Sequence, residues 1–231
     1  MNAGSPLWYT ARGLGMVLLL NLTAVVVLGL ATNRGWTLPT WQRFLVAGLH
    51  RNLSLLAVPL LALHGLMVML DPYARLGLRD ITIPFGSAYR QLWLGLGVLA
   101  GELMVALVLT SLVRQRLGFR LWKVTHWAAY AAWPLTILHG LGTGSDVKVG
   151  WALLVYAACV GAVLIALLGR LSGGSTETEG LRAIAAIISV VGFIALLIWT
   201  IAGPLQPGWA LTAGTPRDLI GSHPGPVSPT P

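Results

Sequence analysis

The sequence predicts an all-α fold, a polytopic membrane helix bundle with six transmembrane helices and a four-helix core. The chain of 231 residues is 56% hydrophobic and only 10% charged, and its mean hydropathy is +0.77. Its apolar runs are close to the ~20 residues that an α-helix needs to cross a bilayer. Such runs exclude a porin-type barrel, whose strands alternate over ~10 residues. The composition leaves no room for a separate soluble domain.

Each predicted span is long enough to cross the bilayer. We expect a membrane domain over residues 1–171, a linker and additional transmembrane helix over 172–203, and a Pro/Gly-rich disordered tail over 204–231. The six spans lie near residues 13–31, 45–70, 92–113, 124–141, 149–169 and 183–203.

The orientation follows from the basic residues in the loops. The strongest cluster, RQRLGFRLWK at residues 114–123, should be cytoplasmic, which places both termini outside the cytoplasm. We therefore expect a multi-pass protein of the cell membrane, in contact with the lipid bilayer. The net charge of +8 then reflects topology, and we expect no nucleic-acid partner.

Four histidines lie inside apolar spans, where a titratable side chain is costly and indicates function. His50 and His64 are on span two, and His126 and His139 are on span four. Spacings of fourteen and thirteen residues separate the members of each pair by ~20 Å along a helix, which suits one histidine per leaflet. The two spans run parallel, so His50 comes level with His126 and His64 with His139. Each level could ligate one haem iron, which would give two haem groups.

The motif PLxxLHGL occurs on both spans, at residues 59–66 and 134–141. Its proline kinks a helix, and its glycine leaves room beside the ligand for a flat macrocycle. On an ideal helix His126 and His139 point ~140° apart, whereas His50 and His64 are only ~40° out of line. We therefore expect Pro134 to swing or overwind its helix.

Basic residues near the histidines are candidate partners of haem propionates, because arginine suits carboxylate contacts. Arg12 would serve the outer haem. The candidates for the inner haem are Arg51, next to His50, and Arg120 with Lys123, before His126. Interfacial anchoring and positive-inside signals would explain these residues equally well.

Two further features invite a functional interpretation. The loop from Asp71 to Arg90 is expected to pack over the outer haem and shape an acceptor site. Glu102 is the only acid in the middle of a span. It is either a hydrogen-bonded group facing the bundle interior or a proton carrier.

The paired histidines on alternate parallel spans resemble the ferric reductase-like transmembrane domain. Ferric reductases, NADPH oxidases and the haem-binding membrane subunit of bacterial methionine sulfoxide reductase systems share this domain. The resemblance covers roughly residues 8–170. It implies haem ligation by His50 with His126 and by His64 with His139, single-electron transfer across the membrane, and an arginine near the outer haem at Arg12.

The chain departs from that family where ferric reductases carry a dehydrogenase, since no GxGxxG loop follows the membrane region. No flavin or NAD(P) site is expected in this chain. We expect an external donor, either a cytoplasmic flavoprotein or a membrane quinol, which would make quinone a further cofactor. The extracytoplasmic acceptor would be ferric iron, a flavoprotein or a similar group. The alternative is a haem-free transporter or scaffold whose histidines handle a metal ion or protons.

Overall fold

The computed structural model describes residues 6–32, 43–144, 146–172 and 178–220. Within these ranges the regular structure is entirely helical and includes no strand, which confirms the predicted all-α class. A short 3₁₀ segment, Asp146–Lys148, lies between α7 and α8, and another, Arg217–Leu219, follows α10. The α-helices are α1 Pro6–Thr32, α2 Arg43–Leu70, α3 Leu78–Thr82, α4 Gln91–Leu112, α5 Arg114–Leu117, α6 Phe119–His126, α7 Ala129–Thr143, α8 Gly150–Leu171, α9 Glu179–Ala202 and α10 Trp209–Thr212.

Five of these helices, α1, α2, α4, α8 and α9, are long and apolar enough to cross a membrane. The chain is accordingly a multi-pass membrane protein. The fourth predicted span, over 124–141, is not one helix, because a turn at Trp127 and Ala128 separates α6 from α7. The structure therefore supports five continuous spans and does not establish the sixth.

The chain forms two compact units. The first comprises Met1–Val17, Pro59–Gly144 and Pro207–Pro231, and the second comprises Leu18–Val58 and Ser145–Gln206. Both α1 and α2 contribute residues to each unit.

Helices α4 and α7 interlock in the first unit. A side chain at Gly97 of α4 would overlap the His139 ring, and one at Gly142 of α7 would overlap the Trp93 ring. Each glycine thus makes room for a large ring of the opposite helix. The two helices approach closely because the sequence places a glycine where the partner presents a ring.

In the second unit, α1 and α2 exchange polar contacts across their interface. Asn21 Nδ2 donates to Leu53 O at 3.0 Å, and the Asn21 side chain is buried. His50 contacts α1 in the opposite direction, through Val25 O. Asn21 and Val25 are one turn apart on α1, so both contacts lie on one face of that helix. A buried amide with a partner is the usual way in which a polar residue holds two helices together in a membrane.

Residues 204–220 differ from the expected disordered tail. They form turns, α10 and a 3₁₀ segment, and Trp209 Nε1 donates to Gly142 O of α7 at 3.1 Å. The Trp209 ring also packs on the Trp93 ring, with centroids 5.5 Å apart. These contacts give the segment the apolar and polar partners that its composition alone does not suggest. Residues 173–177 of the expected linker and 221–231 of the tail lie outside the described residues.

We predict that Asn21→Ala lowers the stability of the protein in detergent by roughly 1 kcal/mol, which is the size of a polar contact between membrane helices. Thermal unfolding followed by circular dichroism would measure the change. Asn52→Ala is the matched control, since Asn52 lies exposed on α2 and should tolerate the change. Equal destabilisation by the two variants would contradict a holding role for Asn21.

Candidate functional site

Three of the four candidate ligands are held in the same way, through Nδ1, by a backbone carbonyl of a neighbouring helix. Each of the three Nδ1 to oxygen distances is 2.9 Å. The imidazole rings are half-buried. The pairs are His50 with Val25 O, His64 with Ala11 O and His139 with Trp93 O.

These contacts determine which ring nitrogen is available. A backbone carbonyl can only accept, so Nδ1 must carry the hydrogen and donate it. The neutral imidazole then keeps its lone pair on Nε2, the nitrogen that a haem iron would take. Metal-bound histidines generally donate their other N–H in this way, which fixes the tautomer and the ring orientation. His50, His64 and His139 therefore fit axial ligation.

The predicted outer pair lies within the first unit. His64 lies on α2 and His139 lies on α7. Both carbonyl partners, Ala11 and Trp93, belong to the first two turns of their helices. For the predicted inner pair, His50 belongs to the second unit and His126 to the first, and their pairing stays a prediction.

His126, at the end of α6, has a different environment from the other three histidines. Its ring stacks on Trp122, with centroids 5.0 Å apart and planes 29° from parallel. Trp122 in turn donates from Nε1 to Ser111 Oγ of α4 at 3.2 Å. Helix α6, which ends at His126, is thereby attached to the end of α4 through the Trp122 side chain.

The backbone after His126 is overwound. Residues 127, 128, 130 and 131 donate to the carbonyls three residues earlier, at 3.0 to 3.2 Å, which is the 3₁₀ pattern. A 3₁₀ turn advances ~120° per residue, ~20° more than an α-helix. About four such residues reduce the calculated angle between His126 and His139 from ~140° to ~60°. The expected overwinding is present, but it lies upstream of Pro134, and α7 runs unbroken through that proline.

Arg12 follows directly after Ala11, whose carbonyl holds His64. Its guanidinium lies 4.1 Å from the centre of the Trp8 ring. Arg12 also interacts electrostatically with the Tyr89 phenol. This position, one residue from the partner of His64, is compatible with the predicted contact to an outer propionate.

The other predicted cationic partners are all exposed: Arg51 on α2, and Arg120 and Lys123 on α6. Arg51 adjoins His50 in sequence, and Lys123 precedes His126 by three residues. Glu102 is also exposed on α4. Of the two alternatives for Glu102, the hydrogen-bonded group in the bundle interior does not match this exposure, because the buried residues of α4 are Leu94, Gly95, Val98, Ala100 and Met104.

The loop from Asp71 to Arg90 packs on the start of α4. Phe85 has a left-handed backbone with φ 61°, and a side chain at Gly95 would overlap its ring. Gln91 Nε2 donates to Phe85 O at 2.8 Å. The absence of a Cβ at Gly95 therefore lets the loop rest directly on α4, close to Trp93.

Arg90 is the main structural residue that the sequence interpretation missed. It is buried, and its Nη1 donates to the last carbonyls of α7, Gly142 O at 3.1 Å and Thr143 O at 2.8 Å. Its Nε donates to Thr215 Oγ1 at 2.8 Å, and its backbone N–H donates to Gly214 O at 3.0 Å. Arg90 thus caps the helix that carries His139 and attaches residues 214–215 to it.

Two tyrosines, Tyr73 and Tyr89, lie near Arg90. Tyr73 donates to Leu219 O at 3.4 Å, and its ring meets the Tyr89 ring edge to face at 6.4 Å. Burial raises the pKa of the Tyr89 phenol above its usual range, although Arg90 and Arg12 oppose the shift. Tyr89 is therefore a neutral hydroxyl at physiological pH and adds no charge beside Arg12.

The fold and the site define an integral membrane protein in which three intramembrane histidines contact backbone carbonyls of neighbouring helices. The family described as "Ferric reductase like transmembrane component" matches residues 14–137, which is more than half of the chain. The protein belongs to this family, as the sequence resemblance predicted. No curated protein and no solved structure matches the chain. The matched region contains His50, His64 and His126 and ends two residues before His139.

Membership of this family indicates electron transfer in the membrane, since ferric reductase-like domains generally bind haem and work with partner redox proteins. Within the described ranges, no group of three or more His, Cys, Asp or Glu side chains is arranged to hold a metal ion. The predicted haem sites need two histidines each.

We predict that Arg90→Lys destabilises the protein by about 2 kcal/mol, because one ammonium cannot replace the forked donor to two carbonyls and a hydroxyl, each contact contributing about 1 kcal/mol. Thermal unfolding in detergent would measure the loss. Limited proteolysis should also cut residues 207–219 faster.

The control for this variant is Arg79→Lys, since Arg79 is exposed on α3 and should tolerate the change. Unaltered stability and unaltered cleavage in Arg90→Lys would show that the Arg90 side chain does not hold residues 207–219 in place.

Proposed function

We propose that the protein is a bis-haem b electron carrier that passes single electrons from a cytoplasmic or quinol donor to an extracytoplasmic acceptor. The support is the fixed tautomer of three intramembrane histidines, each of which presents Nε2. His50 and His126 would hold the inner haem, and His64 and His139 the outer one. Haem supplies the reversible one-electron chemistry of its iron when bound.

The chain's own residues provide ligation, orientation and charge. Two imidazoles would hold each haem iron, which would suit electron transfer and disfavour binding of a substrate at the metal. The carbonyls of Ala11, Val25 and Trp93 hold the rings in place. Arg12 would neutralise an outer propionate, and Arg51, Arg120 and Lys123 would do so at the inner level.

The proposed four-helix core consists of α1, α2, α4 and the α6–α7 pair. In this arrangement α6 and α7 together form a sixth crossing, interrupted at Trp127. The inner end carries the basic segment 114–123, and both termini are extracytoplasmic. The outer acceptor would be ferric iron, a flavoprotein or a similar one-electron acceptor that approaches near the loop from Asp71 to Arg90.

The donor is proposed as a class, either a cytoplasmic flavoprotein or a membrane quinol. A quinol would find an apolar groove in the second unit, between α1 and α8. Its lining is aliphatic except for Arg170, which suits an amphipathic ring with a polar edge. The lining residues are Val27, Leu30, Ala31, Ala162, Ile165, Ala166 and Arg170.

We predict that purified wild-type protein contains about two low-spin b haems per chain, in keeping with four histidine ligands. His64→Ala, His139→Ala, His50→Ala and His126→Ala should each remove about one of them. Oxidised and dithionite-reduced visible spectra, with haem quantified per chain, would test this. His223→Ala is the control, because His223 lies outside the apolar spans.

Haem-free wild-type protein from haem-replete cells would refute the proposal. That result would favour a transporter or scaffold that uses its histidines for metal ions or protons, and metal-binding measurements would then follow.

The orientation can be tested with single cysteines in a Cys159→Ala background, since Cys159 is the only cysteine in the chain. Arg116 and Asp218 are both exposed. We predict that a membrane-impermeant maleimide labels Asp218→Cys in intact cells and labels Arg116→Cys only after permeabilisation. Three crossings would separate these positions if α6–α7 spans the membrane.

The two failures of this test are distinct. The reverse labelling pattern would invert the orientation. Labelling of both cysteines from the same side would show that α6–α7 does not cross.

A further inference from the structure

Three glycines of α1 and α4 share the same position relative to the carbonyls that accept from the histidines. In each of the three Nδ1 contacts, a glycine lies four positions after the residue whose carbonyl accepts from the histidine. A side chain there would point at the histidine ring. The carbonyl and glycine pairs are Ala11 with Gly15 for His64, Val25 with Gly29 for His50, and Trp93 with Gly97 for His139.

The geometry explains why the two features occur together. Residues i and i+4 of a helix lie one above the other on the same face. A ring that reaches the carbonyl of residue i therefore passes over the Cβ position of residue i+4. Only glycine leaves that position empty. A glycine one turn further along therefore lets the ring donate to the helix backbone at 2.9 Å without displacement.

The spacings in the sequence repeat this relation. Gly15 and Gly29 are fourteen residues apart, as are His50 and His64. The order is reversed, since the earlier glycine meets the later histidine. This reversal is what antiparallel helices require. One helix thus provides both positions for the two histidines of the next helix.

The fourth position departs from this pattern. Counting thirteen residues along α4 from Gly97, the spacing between His126 and His139, leads to Thr110. The Thr110 hydroxyl donates to Ala106 O, the carbonyl that occupies the corresponding place, at 2.7 Å. At this position the Thr110 side chain occupies the space that a glycine leaves open at the other three, and its hydroxyl donates to the carbonyl that a histidine would otherwise contact. His126 instead stacks on Trp122.

We propose that Gly15, Gly29 and Gly97 are positioning residues that seat the haem ligands His64, His50 and His139 against a backbone carbonyl. This inference rests on the proposed haem function. The glycines control the placement of the histidine rings, and through it the affinity for haem and the electronic state of the haem iron. This role is additional to their role in helix packing.

The three positions should respond in graded fashion to alanine. At Gly97 the new methyl would overlap the His139 ring, so the ring must leave Trp93 O. At Gly29 and Gly15 the new Cβ would lie 3.2 and 3.3 Å from Cε1 of the histidine, which the ring can relieve by a small tilt. We expect Gly97→Ala to weaken outer haem binding on the order of 10- to 100-fold, the usual effect of losing a partner of a metal ligand.

The chain offers matched controls. Gly101 lies one turn after Gly97 on α4, and a Cβ there would meet Leu61 at 3.2 Å rather than a histidine. Gly13 and Gly48 have nothing within 4 Å of the added carbon. Gly101→Ala therefore tests packing alone, and Gly13→Ala and Gly48→Ala test the substitution itself.

The experiment measures haem per chain, the low-spin EPR signals and the midpoint potentials of purified full-length variants, with circular dichroism to verify folding. Gly97→Ala should lose the haem that His139→Ala loses. Gly15→Ala and Gly29→Ala should keep both haems but each should shift the EPR signal of one. The three control variants should match wild type in haem content, spectra and potentials.

Wild-type spectra in Gly97→Ala, Gly15→Ala and Gly29→Ala, alongside haem loss in His139→Ala, would overturn the seating role and leave the haem function intact. The same haem loss in Gly101→Ala as in Gly97→Ala would also overturn it, because packing would then explain both. Absence of haem in the wild type would refute the function itself.

Discussion

The placement of His50, His64 and His139 depends on the second lone pair of a backbone carbonyl oxygen. Each carbonyl in a helix is already bonded within its own helix, yet its oxygen can accept once more. Inside a bilayer no water is present to satisfy an imidazole N–H, so that spare lone pair on the neighbouring helix is the available partner. Because the contact needs 2.9 Å between Nδ1 and oxygen, it also sets how closely the two helices must approach. Helix spacing, ring orientation and the free nitrogen are therefore consequences of one interaction.

Much of this could be predicted from the sequence, because hydrophobicity and spacing are properties of the chain itself. Apolar runs predicted the all-helical class, and the spacing of His50, His64, His126 and His139 predicted a family that the comparison confirms. The pairing of inner and outer histidines stays a prediction. The glycine spacing on α1 was also visible in the sequence, but its meaning requires knowing which helix neighbours which. The sequence does not indicate which backbone carbonyl a histidine will contact.

Other features depend on tertiary packing and have no local signal. The change from α to 3₁₀ bonding after His126 occurs where neither proline nor glycine is present, so helical propensity alone predicts a continuous span. In the sequence Arg90 is only the last residue of the loop from Asp71, although the structure buries it against the end of α7. Residues 207–220 have a composition typical of disorder, and their contacts with Arg90 and Trp93 hold them within the first unit.

The contact between Arg90 and Thr215 also concerns the order of assembly. The two residues are 125 positions apart, and Thr215 leaves the ribosome after every helix of the bundle. Arg90 can cap the carbonyl end of α7 once α7 has been made, whereas its Nε and its backbone N–H gain Thr215 Oγ1 and Gly214 O only after α8 and α9. The contacts around the helix that carries His139 are therefore completed in two stages, an early one within residues 90–143 and a late one that adds residues 214–215.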